Sequence, residues 1–111
     1  MELYKVIVQD PAEADLRNIS AYLVYELEAP AAAEKLLDAF DEVVERLSRM
    51  PELYSPILEL SSYRKASIKN YLVFHSVDNM NRTVHIERVL HSSQNWLDIL
   101  QSEESPCLIT P

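Results

Sequence analysis

Asp10-Pro11-Ala12-Glu13-Ala14-Asp15-Leu16-Arg17-Asn18-Ile19 has the composition of a helix start. Asp10 reads as an N-cap acid, Pro11 suits the first helical position, and Glu13 stands where a carboxylate meets the orphan amides and the positive end of the helix dipole. Leu16, Ile19, Leu23 and Leu27 then recur at spacings of three and four, which is one apolar stripe of a helix expected from Pro11 to about Glu26. A second helix is expected from Pro30, with the stripe Ala33, Leu36, Leu37, Phe40, Val44 and Leu47, ended near Pro51. So short a link makes the two an antiparallel hairpin. On its outer face Glu42 and Glu45 stand four residues before Arg46 and Arg49. Such exposed pairs contribute only about 0.3–0.5 kcal/mol each, so they act mainly as a solvated surface.

On either side of this hairpin the pattern changes from helical to extended. Residues 3–9 (Leu3-Tyr4-Lys5-Val6-Ile7-Val8-Gln9) are β-branched and aromatic and read as a strand. Residues 51–61, with Pro51 and Pro56, lack periodicity and read as a loop. Strands are expected at 63–69, which alternates, at 71–77, which is apolar on both parities and therefore central, and at 83–90, after a turn at Asp78–Asn81. Ser92 or Ser93 can cap a short last helix carrying Trp96, Leu97, Ile99 and Leu100. The expected fold is α+β in the order β-α-α-β-β-β-α: an N-terminal strand, an α-helical hairpin, an antiparallel β-meander and a short C-terminal helix. The hairpin covers one face of the sheet and leaves the other as a groove. Residues 1–100 form one domain, and 101–111 read as a flexible acidic tail.

The chain has 111 residues, 48% hydrophobic and 25% charged, enough for a core without disulfide or metal. Its single cysteine, Cys107, cannot form an intramolecular bridge, and no basic leader or long apolar run is present. The expected location is a reducing cytoplasm, with no membrane partner. The net charge of −8 is unevenly spread. Residues 1–60 hold 5 basic against 13 acidic side chains, whereas residues 61–100 hold 5 against 3. Arg64, Lys65, Lys69, Arg82 and Arg88 thus make a local basic patch on an acidic protein, a small footprint for a nucleic-acid binder. Glycine is absent altogether, so Asn70, Asn79 and Asn81 are expected to take the positive-φ turn positions.

Five segments in order carry a resemblance to a known family. Tyr4-Lys5-Val6-Ile7-Val8 with Pro11 to Ile19, Pro30-Ala31-Ala32-Ala33-Glu34-Lys35, Leu47-Ser48-Arg49-Met50-Pro51-Glu52-Leu53, Tyr63-Arg64-Lys65 with Asn70 to Asp78, and Ile86-Glu87-Arg88-Val89-Leu90-His91 are similar to the corresponding parts of RelE/ParE toxins. The resemblance covers about residues 3–100. It implies the toxin of a bacterial type II toxin–antitoxin pair, neutralised by a cognate antitoxin in a hetero-oligomer. RelE-like members cut messenger RNA in the ribosomal A site; ParE-like members poison DNA gyrase.

Metal-free RNA cleavage needs cations on the phosphorane and an acid or base near one phosphate. The RelE-like pattern places an arginine after the tyrosine of the second meander strand, where this chain has Leu72, and another past the third strand, where it has His91, Ser92 and Ser93. The ParE-like reading, a poison acting by contact, is therefore preferred. Its alternatives are a ribosome-dependent nuclease built from Lys65, Lys69 and His91, and a degenerate member that only binds antitoxin. Tyr63, Arg64, Arg88 and Trp96 are the expected binding residues.

Each has a structural reading beside the functional one. By strand parity Arg88 groups with Val84, Ile86 and Leu90, and can pair with an acidic helix residue at the core edge. Lys65 and Lys69 can simply guard a sheet edge, Trp96 can anchor the last helix, and Tyr22 and Tyr25 can cover the first. His75, His85 and His91 lie on separate elements without a close-spaced pair, so no metal is expected, and no other cofactor. A phosphate loop is excluded because it needs glycine.

Overall fold

The computed structural model describes residues 3–104. Its elements follow the expected order: β1 (Lys5–Val8), α1 (Asp10–Ala21), α2 (Pro30–Arg49), β2 (Arg64–Ile68), β3 (Tyr71–Asp78), β4 (Thr83–His91) and α3 (Trp96–Glu104). Helix α1 starts one residue earlier than expected. Gln9 holds the N-cap position without a side-chain cap, its carbonyl accepts the Glu13 N–H at 3.0 Å, and Asp10 joins Glu13 in the first turn. Both acids therefore act through the helix dipole, and Asp10 does not cap. Helix α3 runs through Ser102 to Glu104, beyond the boundary expected for the tail; residues 105–111 of that tail lie outside the described residues.

The larger departure is at the end of α1. The helix widens into a π-helical turn at Tyr22–Glu26, closed by the Leu27 N–H on the Tyr22 carbonyl at 3.1 Å. A π turn adds a residue to the helical circuit and so re-aims every side chain after it. Leu23 and Leu27, spaced as if to continue the stripe into the core, are half-buried and exposed respectively. Along α2 the buried positions are Ala33, Leu36, Phe40, Val43 and Leu47. Val43 thus takes the place expected for Leu37, which is exposed, and Val44 is only half-buried.

The four strands form one sheet in the order β1-β4-β3-β2. The meander is antiparallel throughout, and β1 adds at its edge parallel to β4, pairing Val6 with Val84 and Val8 with Ile86. Between β3 and β4 the register slips: Phe74 lies opposite Arg88 and His75 opposite Ile86, so Glu87 is the extra residue of a bulge. One inserted residue exchanges the faces of everything beyond it. Val84, Ile86 and Val89 consequently pack under the helices, while Leu90 joins the other face. The parity that groups Leu90 with Val84 and Ile86 is corrected by this bulge.

Two apolar clusters result. The main core joins Ala12, Leu16, Leu36, Phe40 and Leu47 of the helices to Ala66, Val73, Val84, Ile86 and Val89 of the sheet. The second comprises Ile57, Leu72, Phe74, Leu90 and Leu100, with Leu60, Tyr63, Trp96 and Ile99 against it. The face expected to be an open groove is thus largely roofed by α3 and the segment after Pro56. The reason lies in Leu72 and Phe74, whose burial requires apolar cover on a sheet that is apolar on both sides.

The turns solve the lack of glycine unexpectedly. Positive φ falls on Glu28 (49°), Lys69 (54°) and Arg82 (52°), and on none of Asn70, Asn79 and Asn81. Asn81 is used instead as a donor, its backbone N–H and Nδ2 bonding the Asp78 carboxylate at 3.2 and 2.7 Å. A Cβ in the left-handed region costs about 1–2 kcal/mol, part of which glycine returns as greater freedom in the unfolded chain. Glu28→Gly is therefore expected to stabilise the protein by about 1 kcal/mol, read as a higher urea midpoint at unchanged m-value. An unchanged or lower midpoint would show that the link between the helices carries no such strain.

Candidate functional site

The π-helical turn, α2 and the β2–β3 hairpin enclose a cleft of about 550 Å³. Its apolar lining is Leu23, Leu27, Ala32 and Leu36; its polar lining is Tyr22, Lys35, Lys69, Asn70, Tyr71, His91 and Ser93. Each polar residue is placed by a local feature. Lys69 and Asn70 are the two residues of the tight turn between Ile68 and Tyr71, and Asn70 accepts the Ser92 N–H on its carbonyl at 2.8 Å. His91 stands edge-on to Tyr71, with ring centroids 5.1 Å apart. Its Nδ1 accepts from the Ser93 backbone N–H at 3.1 Å and has the Ser93 hydroxyl at 2.7 Å, so the ring proton sits on Nε2. Burial pushes the Tyr71 phenol up, and neighbouring Tyr22 adds to the effect. The phenol therefore remains a neutral donor at physiological pH.

Lys65 is elsewhere. It borders a shallow groove between β2, residues 53–59 and Trp96, with its Nζ 4.8 Å from the centre of the Trp96 ring. Trp96 in turn packs against Phe74 at 5.4 Å between centroids. The expected nuclease trio is thereby divided: Lys69 and His91 share the cleft, and Lys65 lines the groove beside the second apolar cluster. Tyr63, from the expected binding set, is part of that cluster.

The two arginines of the expected binding set are engaged within the fold. Arg64 donates to the Tyr54 carbonyl at 2.6 Å and lies 3.9 Å from Glu52. Glu52 also accepts from Asn79, whose other side-chain atom accepts the Tyr4 hydroxyl, so Arg64 helps to pin the 52–54 loop to the sheet end. Arg88 forms a two-pronged pair with Asp15 of α1, Nε to Oδ2 at 2.7 Å and Nη2 to Oδ1 at 2.9 Å. The Val89 backbone N–H adds a third bond to Asp15 at 2.9 Å. The pairing of Arg88 with an acidic helix residue at the core edge is the arrangement present, and Asp15 is its partner.

His75 is fully buried. Its Nδ1–H donates to the Val73 carbonyl at 3.3 Å, its ring meets Tyr54 edge-on, and among the described residues its Nε2 has no partner. Burial lowers its pKa to about 4, with Arg64 adding to the fall and the Val73 carbonyl opposing it. Among the described residues no three His, Cys, Asp or Glu side chains gather as a metal site, and no helix is long and apolar enough to cross a membrane.

Sequence reasoning missed Lys35, Tyr22 and Tyr71 as neighbours of Lys69 and His91. Their only sequence signal is weak: Lys35 precedes a buried leucine, and Tyr71 follows the turn that carries Lys69. Nothing local announces the π turn that brings Tyr22 to them.

Compared with known proteins, residues 6–96 match the family model of the ParE toxin of type II toxin-antitoxin system, parDE. No curated protein matches the chain by sequence. Among solved structures, the chain is similar to one in the chromosomal ParDE toxin–antitoxin system from P. aeruginosa, at 20% identity and a TM-score of 0.66, covering 79% of this chain and 95% of that one. It is also similar to one in the toxin–antitoxin complex RelBE2 from Mycobacterium tuberculosis, at 22% identity and a TM-score of 0.58, covering 85% and 97%. A third likeness is to an arginine double mutant of the E. coli toxin RelE in the free state, at 9% identity and a TM-score of 0.67, covering 94% and 98%. At these identities the structural likenesses speak for the fold alone.

Proposed function

From the premise that this chain belongs to the ParE toxin family of type II toxin–antitoxin systems, we propose that it is a contact poison of DNA gyrase. In this reading it is held inactive in the cytoplasm by a cognate antitoxin, in a hetero-oligomer. The observation that carries the reading is the second apolar cluster. Where a RelE-like nuclease would set an arginine after the strand tyrosine, Leu72 is buried with Phe74, Leu90 and Leu100. A phosphorane needs preorganised positive charge, and an apolar seam under α3 supplies none. The similarity to a chain of the RelBE2 toxin–antitoxin complex and to one of the ParDE system from P. aeruginosa supports an antitoxin partner. So do the exposed Tyr22, Tyr25, Leu27 and Leu37 at the helix junction, apolar surface of the kind a protein partner covers.

Of the expected binding residues, Arg64 and Arg88 are engaged in internal pairs, and we assign the gyrase contact to the groove lined by Trp96 and its neighbour Lys65, with Tyr63 at its margin. Regulated expression in a bacterium should arrest growth and induce the DNA-damage response, purified protein should inhibit gyrase supercoiling, and co-expressed antitoxin should restore growth. Lys65→Glu, which reverses the charge at the rim, should weaken gyrase inhibition by about tenfold. Arrest accompanied by cleavage of translated messages at codon positions would replace this reading with the nuclease. That alternative is favoured by one observation, the shared cleft of Lys69 and His91. Expression without any arrest would leave a degenerate, antitoxin-binding member.

A further inference from the structure

The protein carries 18 acidic side chains against 10 basic ones, yet the described residues lining the cleft beside the π-helical turn include Lys35, Lys69 and His91 and no carboxylate. Lys35 and Lys69, with no carboxylate among the lining residues, give the cleft a local positive charge that favours an anion, while neutral His91 adds a donor and no charge. Three neutral donors line the cleft with them: the Tyr22 and Tyr71 hydroxyls, and the His91 Nε2–H that remains once Nδ1 is bonded to Ser93. Lysines with neutral O–H and N–H donors along one cleft suit a phosphate. Leu23, Leu27, Ala32 and Leu36 line the same cleft together with Tyr22 and Tyr71, which suits a flat body attached to that phosphate.

Two further features set this cleft apart from an ordinary crevice. Its volume of about 550 Å³ lies within the range typical of small-molecule sites. Both of its walls also depend on unusual backbone: the π turn that supplies Tyr22, and Lys69 at a φ of 54°, although Asn70 beside it is the residue type better suited to that conformation.

We propose that the cleft between the π-helical turn, α2 and the β2–β3 hairpin binds a nucleoside monophosphate, with Lys35, Lys69 and His91 on the phosphate and Tyr22 and Tyr71 beside the base. Binding here is non-covalent and independent of the gyrase contact, since the groove of Lys65 and Trp96 lies elsewhere. Tyr22 and Leu27 belong also to the surface proposed for the antitoxin, so the site is that of the free toxin.

Titration calorimetry of the full chain with adenosine 5′-monophosphate tests it. The expected dissociation constant lies between roughly 10 μM and 1 mM, with adenosine alone and inorganic phosphate alone each at least tenfold weaker. Lys35→Gln and Lys69→Asn should each weaken binding by roughly tenfold or more, because each removes a charged donor; asparagine tolerates the turn conformation at position 69. Lys65→Gln should leave binding unchanged. Several results would overturn the proposal: no heat at millimolar ligand, phosphate binding as tightly as the nucleotide, or Lys65→Gln abolishing binding while circular dichroism stays native. A 5′-phosphorylated tetranucleotide binding tenfold tighter than the mononucleotide would also overturn it, in favour of a nucleic-acid strand. Gyrase inhibition is measured separately, so failure of either reading is visible without the other.

Discussion

Asp15→Ala is expected to cost the fold about 3 kcal/mol, at the lower end of what breaking a buried ion pair costs. Asp15 and Arg88 side chains are only 14% and 17% exposed, so water reaches the pair slightly and does not replace a lost partner. Alanine would remove both bonds to Arg88 and the one to the Val89 N–H, leaving a guanidinium and a backbone donor poorly solvated between α1 and β4. Against a total stability of roughly 5–15 kcal/mol this is a large share, and the thermal midpoint should fall by roughly 10 °C or more. Replacing both partners, Asp15→Leu with Arg88→Met, should recover most of the loss, since no half-buried charge is then left without its carboxylate. A single-variant loss below about 1 kcal/mol in denaturant titration would show the pair to be solvated and incidental.

Acid should unfold the protein through His75. Its folded pKa of about 4 lies below the 6.5 of an unfolded histidine, because burial disfavours the imidazolium. Below pH 6.5 the unfolded chain takes up a proton that the folded chain refuses until about pH 4. The contribution is therefore complete above pH 6.5, is lost progressively as the pH falls towards 4, and is flat below that. The full loss approaches about 3 kcal/mol. His75→Leu should flatten stability across this window. It should also leave stability at pH 7 equal or about 1 kcal/mol higher, since the buried Nε2 without a partner is removed. Asp78, held below the usual carboxylate range by Asn81, loses its contribution only at still lower pH, so the two effects separate along the pH axis. Persistence of the slope between pH 6.5 and 4 in the leucine variant would assign acid sensitivity to other groups.

The two clefts show how far a sequence could anticipate the site. The absence of arginine at Leu72 was legible, because it is a question of which residue follows a tyrosine in a strand. That Leu72 belongs to a closed apolar seam was not, because the cover comes from Trp96 and Leu100, beyond β4, and from Ile57, before β2. Lys65 and Lys69 share strand parity and looked like one site. The hairpin turn separates them: Lys65 is still within β2, while Lys69 has left the strand and turned, at positive φ, towards the helices. The histidines were expected on separate elements, whereas His85 and His91 both belong to β4, and that His75 alone is sealed inside could not be read from a strand apolar on both parities.

By itself the sequence determined the helical pair, the meander and the order in which they occur. Those elements are written in periodicities and breakers that act over a few residues: Pro11, Pro30 and Pro51, the stripe from Ala33 to Leu47, and the turn at Asp78. Only the tertiary structure decided which acid meets Arg88 across 73 positions of chain, which lysine shares a cleft with His91, and which face Leu90 takes after the Glu87 bulge. Those outcomes depend on packing between distant segments, where a single extra residue in a strand or helical turn redirects all that follows. No local pattern of residues encodes that balance.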